Sequence, residues 1–218
     1  MTAEAPIKSP PHQAQSDVRD AIPCINPATG ESLGEVAVTL PEQVPVCVAR
    51  ARAAQQQWAR STFAQRRAVL KNIMEFVLQH ADELCNEIVT DSGKTYENAM
   101  LGEILPICNK LKWTLRNGEK YLRPESVRSG LLLHKKGRIE YHPLGVVACI
   151  IPWNYPLQNI VSSLVAPLMA GNAVIVKASE MVAWSSARFQ RITDQALEQA
   201  GFPKDLVQII NGYGDTGA

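Results

Sequence analysis

Asn154, Lys177 and Glu180 are polar side chains placed where apolar stretches of the chain break off, and each has chemistry to offer there. A neutral amide on a constrained turn can donate to the oxyanion that forms when a carbonyl is attacked, without adding a charge that needs solvent. The same asparagine could instead be a turn-former bonded to its own backbone. Lys177 and Glu180 offer a donor and an acceptor to a ligand, or two solvated charges on a loop. Cys149 offers a thiol, but it lies between Ala148 and Ile150 in an apolar run, where burial would raise its pKa and hide its sulfur. A structural role is favoured for it. Gly212 to Gly217 spells G-x-G-x-x-G, with Gly212 and Gly214 leading. A dinucleotide fingerprint belongs after the first strand and before a helix, whereas this one follows the third strand, so a flexible turn is the alternative. The stretch DSGKT at 91–95 lacks the leading glycine of a phosphate loop, since Ile88 stands in its place, and a nucleoside-triphosphate site is rejected.

The elements that must carry these groups can be read from periodicity. Residues 145–151 form a continuous apolar run rich in β-branched side chains, which predicts a strand covered on both faces. Pro152 and Pro156 bracket Trp153, Asn154 and Tyr155. Each proline lacks a ladder donor and biases its predecessor away from the helical region, so the strand stops and the chain turns. From Leu157 the period changes. Leu157, Ile160, Val161, Leu164, Val165, Leu168 and Met169 share one helical face, and Gly171 with Asn172 supplies a stop. A second apolar run, 173–176, ends in Lys177; a helix from about Trp184 to Gln199 stops at Gly201, and residues 206–210 make a third strand. This βαβαβ order is half of a doubly wound parallel α/β sheet. Ligands of such sheets gather beyond the carboxyl ends of the strands, where Asn154, Lys177 and Glu180 fall.

Upstream the pattern is mostly helical. Residues 1–21 are expected to be a mobile tail. Turn signals at Asn26-Pro27 and Thr29-Gly30 then predict two short strands between Cys24 and Val38. Thr39 and Glu42 have capping-box spacing ahead of an Ala-rich helix reaching Trp58, although Pro45 argues for a later start. Stripes at Val69, Leu70, Ile73, Met74, Val77 and Leu78, and at Leu84, Ile88 and Val89, mark two more helices. A long helix should follow from about Tyr96 to Leu122, kinked or broken at Pro106. Residues 130–142 alternate in character around Gly137, which predicts a hairpin.

Composition excludes several function classes. A formal net charge of +1 with scattered Lys and Arg argues against nucleic acid. The longest apolar runs are too short and too broken by Pro and Asn to span a membrane. Five scattered cysteines without a CxxC pair fit a reducing, cytoplasmic setting and no disulfide framework, and with four unpatterned histidines they make a metal site unexpected. The 218 residues, 46% of them apolar, suffice for a sizeable core.

PWNYP at 152–156, followed by a helix and a strand ending in KASE at 177–180, resembles the NAD(P)-dependent aldehyde dehydrogenase superfamily. INPATGE at 25–31, DSGKT at 91–95 and NGYGDTG at 211–217 are similar to family segments in the same order, so the likeness runs from about Ile22 to Gly217. The segment 140–159 resembles a eukaryotic, membrane-associated branch whose N-terminal anchor is not found here. The resemblance implies an N-terminal strand pair and helical part over 22–129, an oligomerisation hairpin over 130–142 and an incomplete Rossmann-like NAD-binding segment over 143–218. It gives Asn154 the oxyanion role and makes Ile151, Pro152 and Trp153 walls of the cofactor cleft. Lys177 and Glu180 would hold the adenosine ribose, and Gly212 and Gly214 would let backbone approach the adenine end. Glu180 would repel a 2′-phosphate, which favours NAD over NADP. The implied reaction oxidises an aldehyde to a carboxylic acid through a cysteine thioester. Its nucleophile and general base are expected outside these residues, leaving the chain inactive alone and the full-length protein a homo-oligomer. The alternative is a short non-enzymatic product that acts by nucleotide binding or subunit association.

Overall fold

The computed structural model of the chain describes residues 20–128, 130 and 135–218. Residues 1–19 of the expected tail over 1–21 and the first candidate hairpin strand, at 131–134, lie outside the described residues, while Ala21 already belongs to a strand. The order is β1 (Ala21–Ile25), β2 (Ser32–Ala37), α1 (Val44–Trp58), α2 (Phe63–Gln79), α3 (Ala81–Ser92), α4 (Tyr96–Ala99), α5 (Leu105–Leu122), β3 (Glu125–Val127), β4 (Gly137–Ile139), β5 (Val146–Ile150), α6 (Pro156–Ala170), β6 (Ala173–Ala178), α7 (Ala183–Gln199) and β7 (Val207–Asn211). β5, β6 and β7 form a parallel sheet in that order, and β1–β2 and β3–β4 are separate antiparallel pairs.

The register fixes which side chains share a face. Ala148 is paired with Ile175 and Ile150 with Lys177, and Lys177 in turn with Ile210. Ile150, Lys177 and Ile210 therefore point to one side, towards α1, where Gln208 Nε2 donates to the Cys47 carbonyl at 2.9 Å. The other side faces α6, where the Cys149 thiol reaches the Ser163 carbonyl at 3.9 Å. One continuous apolar core joins α1, α2, α3, α5, α6 and α7 to the sheet. Trp58 is fully buried in it, donates from Nε1 to the Leu168 carbonyl at 3.0 Å and meets the Phe202 ring edge-on at 4.7 Å. Burying the largest side chain with its single donor satisfied is what lets it fill the core at no polar penalty.

Four sequence expectations are corrected. First, β5 is not covered on both faces: Ile150 is 66% exposed, because among the described residues β5 is an edge strand paired with β6 alone and α1 covers only part of its face. Second, Gly137 is not a turn. It opens β4 opposite Val127, so the upstream strand of the hairpin is Glu125–Val127. Third, Thr39 does not cap α1; its N–H donates to Asn211 O at 2.7 Å, and a short 3₁₀ turn, Pro41–Gln43, precedes the helix. Fourth, of the expected kink or break at Pro106, the break does not occur: helical residues run on from Tyr96 to Leu122. The helix widens into a π segment, Met100–Ile104, where the Leu105 N–H reaches Met100 O, so the residue without an amide is passed by a locally looser turn.

Candidate functional site

The carboxyl ends of β5 and β6 carry the predicted groups. The Ile151 N–H donates to Lys177 O at 3.1 Å, extending the β5–β6 pairing one residue, and Ile151 itself is buried in the core. Pro152 and Trp153 are exposed beyond it, Trp153 by 54%. Asn154 follows on the same exposed bend. Its Oδ1 accepts a long bond of 3.5 Å from Asn159 Nδ2, which also approaches Pro152 O at 3.5 Å. With its oxygen turned to Asn159, the Asn154 amide has both N–H groups left for an external acceptor.

Lys177 and Glu180 come together. Lys177 Nζ lies 3.5 Å from Glu180 Oε2, with the lysine side chain 10% exposed and the carboxylate 38% exposed. Ser179 Oγ donates to Glu180 Oε2 at 3.4 Å and accepts from Met181 N–H at 3.3 Å, capping the 3₁₀ turn Glu180–Val182 that leads into α7. A nearly buried ammonium beside a half-exposed carboxylate is a donor–acceptor pair suited to a vicinal diol. Between α1 and the sheet, a groove of about 290 Å³ is lined by Val44, Val48, Ile150, Ile175, Lys177 and Thr216, among others. Gly217 closes on it near the Lys177 stem.

The first two glycines of the G-x-G-x-x-G stretch differ. A Cβ on Gly212 would run into the Thr216 side chain, whose hydroxyl donates to Thr39 O at 2.8 Å; glycine is required there by the chain's own packing. A Cβ on Gly214 would meet nothing within 4 Å.

Sequence reasoning missed the groups beneath these turns. Glu103, fully buried in the π segment, accepts from the Leu157 and Gln158 N–H groups at 2.8 and 3.1 Å and pairs with Lys94 Nζ at 2.6 Å. Asp91, 5% exposed, accepts from the Ser185 N–H at 2.8 Å. Each carboxylate thus satisfies amide groups in the first turn of a crossover helix, α6 for Glu103 and α7 for Asp91, whose own N-cap residues provide no side-chain acceptor. Burial pushes both carboxyls up, outweighing the opposing pull of their hydrogen bonds and of Lys94 or Arg188. No local signal marks Glu103; Asp91 and Lys94 fall within DSGKT, singled out in the sequence only as a segment and without these roles. Among the described residues, no group of three or more His, Cys, Asp or Glu could hold a metal ion, and no helix is long and apolar enough to cross a membrane.

The model of the aldehyde dehydrogenase family matches residues 13–218. An aldehyde dehydrogenase-like protein of Schizosaccharomyces pombe is 38% identical over 86% of this chain and 36% of its own length. The solved structure of an NAD-dependent benzaldehyde dehydrogenase from Corynebacterium glutamicum superposes with a TM-score of 0.79 at 26% identity, over 90% of this chain and 41% of that one. A glyceraldehyde-3-phosphate dehydrogenase from Methanocaldococcus jannaschii, solved with NADP, shares the fold with a TM-score of 0.83 at 20% identity, covering 92% and 43%. The chain spans about a third of the length of the curated relatives it matches, in each case with the N-terminal part of the family fold. With its parallel βαβαβ sheet, its turn at Asn154 and a match running through nearly all of its residues, the chain is a member of the aldehyde dehydrogenase family.

Proposed function

We propose that this chain supplies the oxyanion donor and the adenosine-ribose side of the cofactor cleft of an NAD-dependent enzyme that oxidises an aldehyde to a carboxylic acid through a cysteine thioester. The observation that carries the reading is the placement of Asn154 and of the Lys177–Glu180 pair at the carboxyl ends of adjacent parallel strands. The residues fit the cofactor. Lys177 has donors to spare beyond Glu180, and Glu180 has an accessible acceptor, so together they can hold the two ribose hydroxyls. Of the three expected cleft walls, Pro152 and Trp153 are exposed and available, whereas Ile151 is turned into the core and its neighbour Ile150 is the exposed apolar surface in its place. A dinucleotide held there by Lys177 and Glu180 would supply the hydride acceptor for the oxidation. Asn154, with both amide hydrogens free, is suited to hold the negative oxygen that appears on thiol attack. Glu180 would repel a 2′-phosphate, partly offset by Lys177 at 3.5 Å, which supports a modest preference for NAD over NADP.

The thiol is a different matter. Cys149 points into the α6 side of the sheet at Ser163 O, and Cys24, Cys47 and Cys85 are buried. Burial also raises the Cys108 thiol, and these placements support assigning the nucleophile, and with it the general base, to polypeptide other than these residues, which would leave the chain inactive alone. The exposed Val127, Ile139 and Tyr141 on and beside the β3–β4 hairpin support its use in subunit association, and the free cysteines support a cytoplasmic setting.

The test is a titration of the chain with NAD and with NADP, read from Trp153 fluorescence against a Trp153→Phe control. Glu180→Ala should weaken NAD about tenfold, the loss of a charge-assisted hydrogen bond, and narrow the gap to NADP. Equal NAD affinity in wild type, Lys177→Ala and Glu180→Ala would sink the assignment.

A further inference from the structure

The turn that carries Asn154 has almost no support of its own. Tyr155, at the N-cap of α6 with φ −142° and ψ 74°, makes no side-chain cap, and Pro156 in the first turn contributes no N–H. Leu157 and Gln158 are thus left with first-turn amides that no carbonyl of the helix accepts, and both are taken by one oxygen of Glu103, from 54 and 55 residues upstream. The other Glu103 oxygen is held by Lys94 at 2.6 Å. The same Lys94 ammonium lies 3.8 Å from the centre of the Tyr155 ring. On the ring's edge, Gly102 lies so close that a Cβ there would sit 3.0 Å from Tyr155 Cε1 and the ring would have to give way. Glu103 and Gly102 both belong to the π segment that Pro106 accompanies, so the widened turn places the carboxylate and the close approach side by side. Tyr155 is then gripped by Lys94 and Gly102, and the helix start behind it by Glu103. Asn154 is the next residue back along the chain.

We propose that Glu103, oriented by Lys94, is the positioning residue for Asn154: it holds the start of α6 so that the Asn154 amide keeps one orientation at the end of β5. The inference rests on the oxyanion reading of Asn154 given above. A carboxylate in this place does what an N-cap side chain does, but from another part of the fold, so the turn is free to carry Pro, Trp, Asn and Tyr in place of a capping Ser or Asp. It also explains an otherwise unfavourable burial. A fully buried glutamate is retained only where its loss would release something worth more than the desolvation it incurs.

The experiment is solution NMR and amide hydrogen exchange on the 218-residue chain, comparing wild type, Glu103→Gln, Glu103→Ala and Thr62→Ala. The last removes the N-cap of α2 and serves as a control for a general loss of stability. Asn154→Ala identifies the Asn154 side-chain amide signals. In Glu103→Ala, exchange at Leu157 and Gln158 should accelerate at least tenfold while Val174 to Val176 in β6 change little. The Asn154 side-chain signals should broaden or shift. Glu103→Gln, which keeps an acceptor but not the charge, should fall between, and it keeps the comparison possible if the alanine variant does not fold. Thr62→Ala should leave Asn154 as in wild type. Unchanged Asn154 signals in both Glu103 variants, or an equal response in Thr62→Ala, overturns the proposal. The oxyanion reading fails separately: full aldehyde oxidation by an Asn154→Ala form of the natural enzyme would remove it without touching the exchange result.

Discussion

Asp91 tests the same logic at the second crossover helix, in a form that can be read quantitatively. Its carboxylate is 5% exposed and accepts the Ser185 N–H at 2.8 Å, at the start of α7 just after the turn that bears Lys177 and Glu180. In Asp91→Ala the Ser185 amide becomes a buried donor without a partner. Loss of a hydrogen bond to a charged group costs about 1.5–3 kcal/mol, and the favourable charge at a helix N-terminus adds about 0.5 kcal/mol. Relief of the desolvated carboxylate offsets part of this, leaving a net loss of about 2 kcal/mol, or about 4–8 °C for a chain of this size. Asp91→Asn keeps an oxygen for Ser185 and should lie within about 1 kcal/mol of wild type at neutral pH. The pH dependence has a definite sign. Burial raises the folded-state pKa of Asp91 above its unfolded value. The stability contributed by proton uptake is therefore complete below the unfolded pKa, about 4, and is lost as pH rises through the folded pKa. Wild type should lose ground to Asp91→Asn over that interval. Urea denaturation of the three proteins at several pH values from acid to neutral measures both effects. If Asp91→Ala is as stable as wild type, or wild type gains on Asp91→Asn as pH rises, the reasoning about buried caps is wrong.

Two further outcomes are expected. Gly171 ends α6 at φ +91°, and a Cβ there would lie 2.8 Å from Arg66 Nη2. That guanidinium donates to Met169 O at 3.1 Å, Ala59 O at 3.2 Å and Ser61 Oγ at 3.0 Å, so Gly171→Ala should lose on the order of 3 kcal/mol in chemical denaturation, from left-handed strain and a displaced buried cation together; a loss below about 1 kcal/mol refutes it. Cys85 is fully buried, and burial, aided by Asp82 and Glu103, raises its thiol to about 11. At pH 8 its thiolate fraction is then about one in a thousand, and mass-resolved alkylation should modify it only on unfolding; labelling at the rate of an exposed thiol would contradict the packing.

Much of the architecture was legible because its determinants are local. Pro152 and Pro156 end β5 and start α6, Gly171 in the left-handed region ends that helix, and apolar runs of strand and helix period follow in the order that parallel crossovers require. Lys177 and Glu180 could be picked out for the same reason: charges that close an apolar run must lie at a strand end. Asn154 could be placed on its turn, but not given its free amide hydrogens, which depend on Asn159 lying across the bend.

The sequence by itself thus determined element type, order and the family. Partnership was decided only by the tertiary structure. Alternation around Gly137 is compatible with any pairing, and the strand opposite β4 is the earlier segment Glu125–Val127. An apolar run does not say whether a strand is central or at an edge, and β5 is at the edge with Ile150 exposed. Glu103 is an ordinary polar letter within a helical stretch, and Asp91 stands in DSGKT with nothing there to name its partner. Each acquires its role from an amide 54 and 94 residues away, respectively, which the folded chain brings within 2.8 Å. Periodicity records what a residue turns towards solvent or core. It carries no information about which distant backbone group a buried charge will meet, because that depends on how the layers stack.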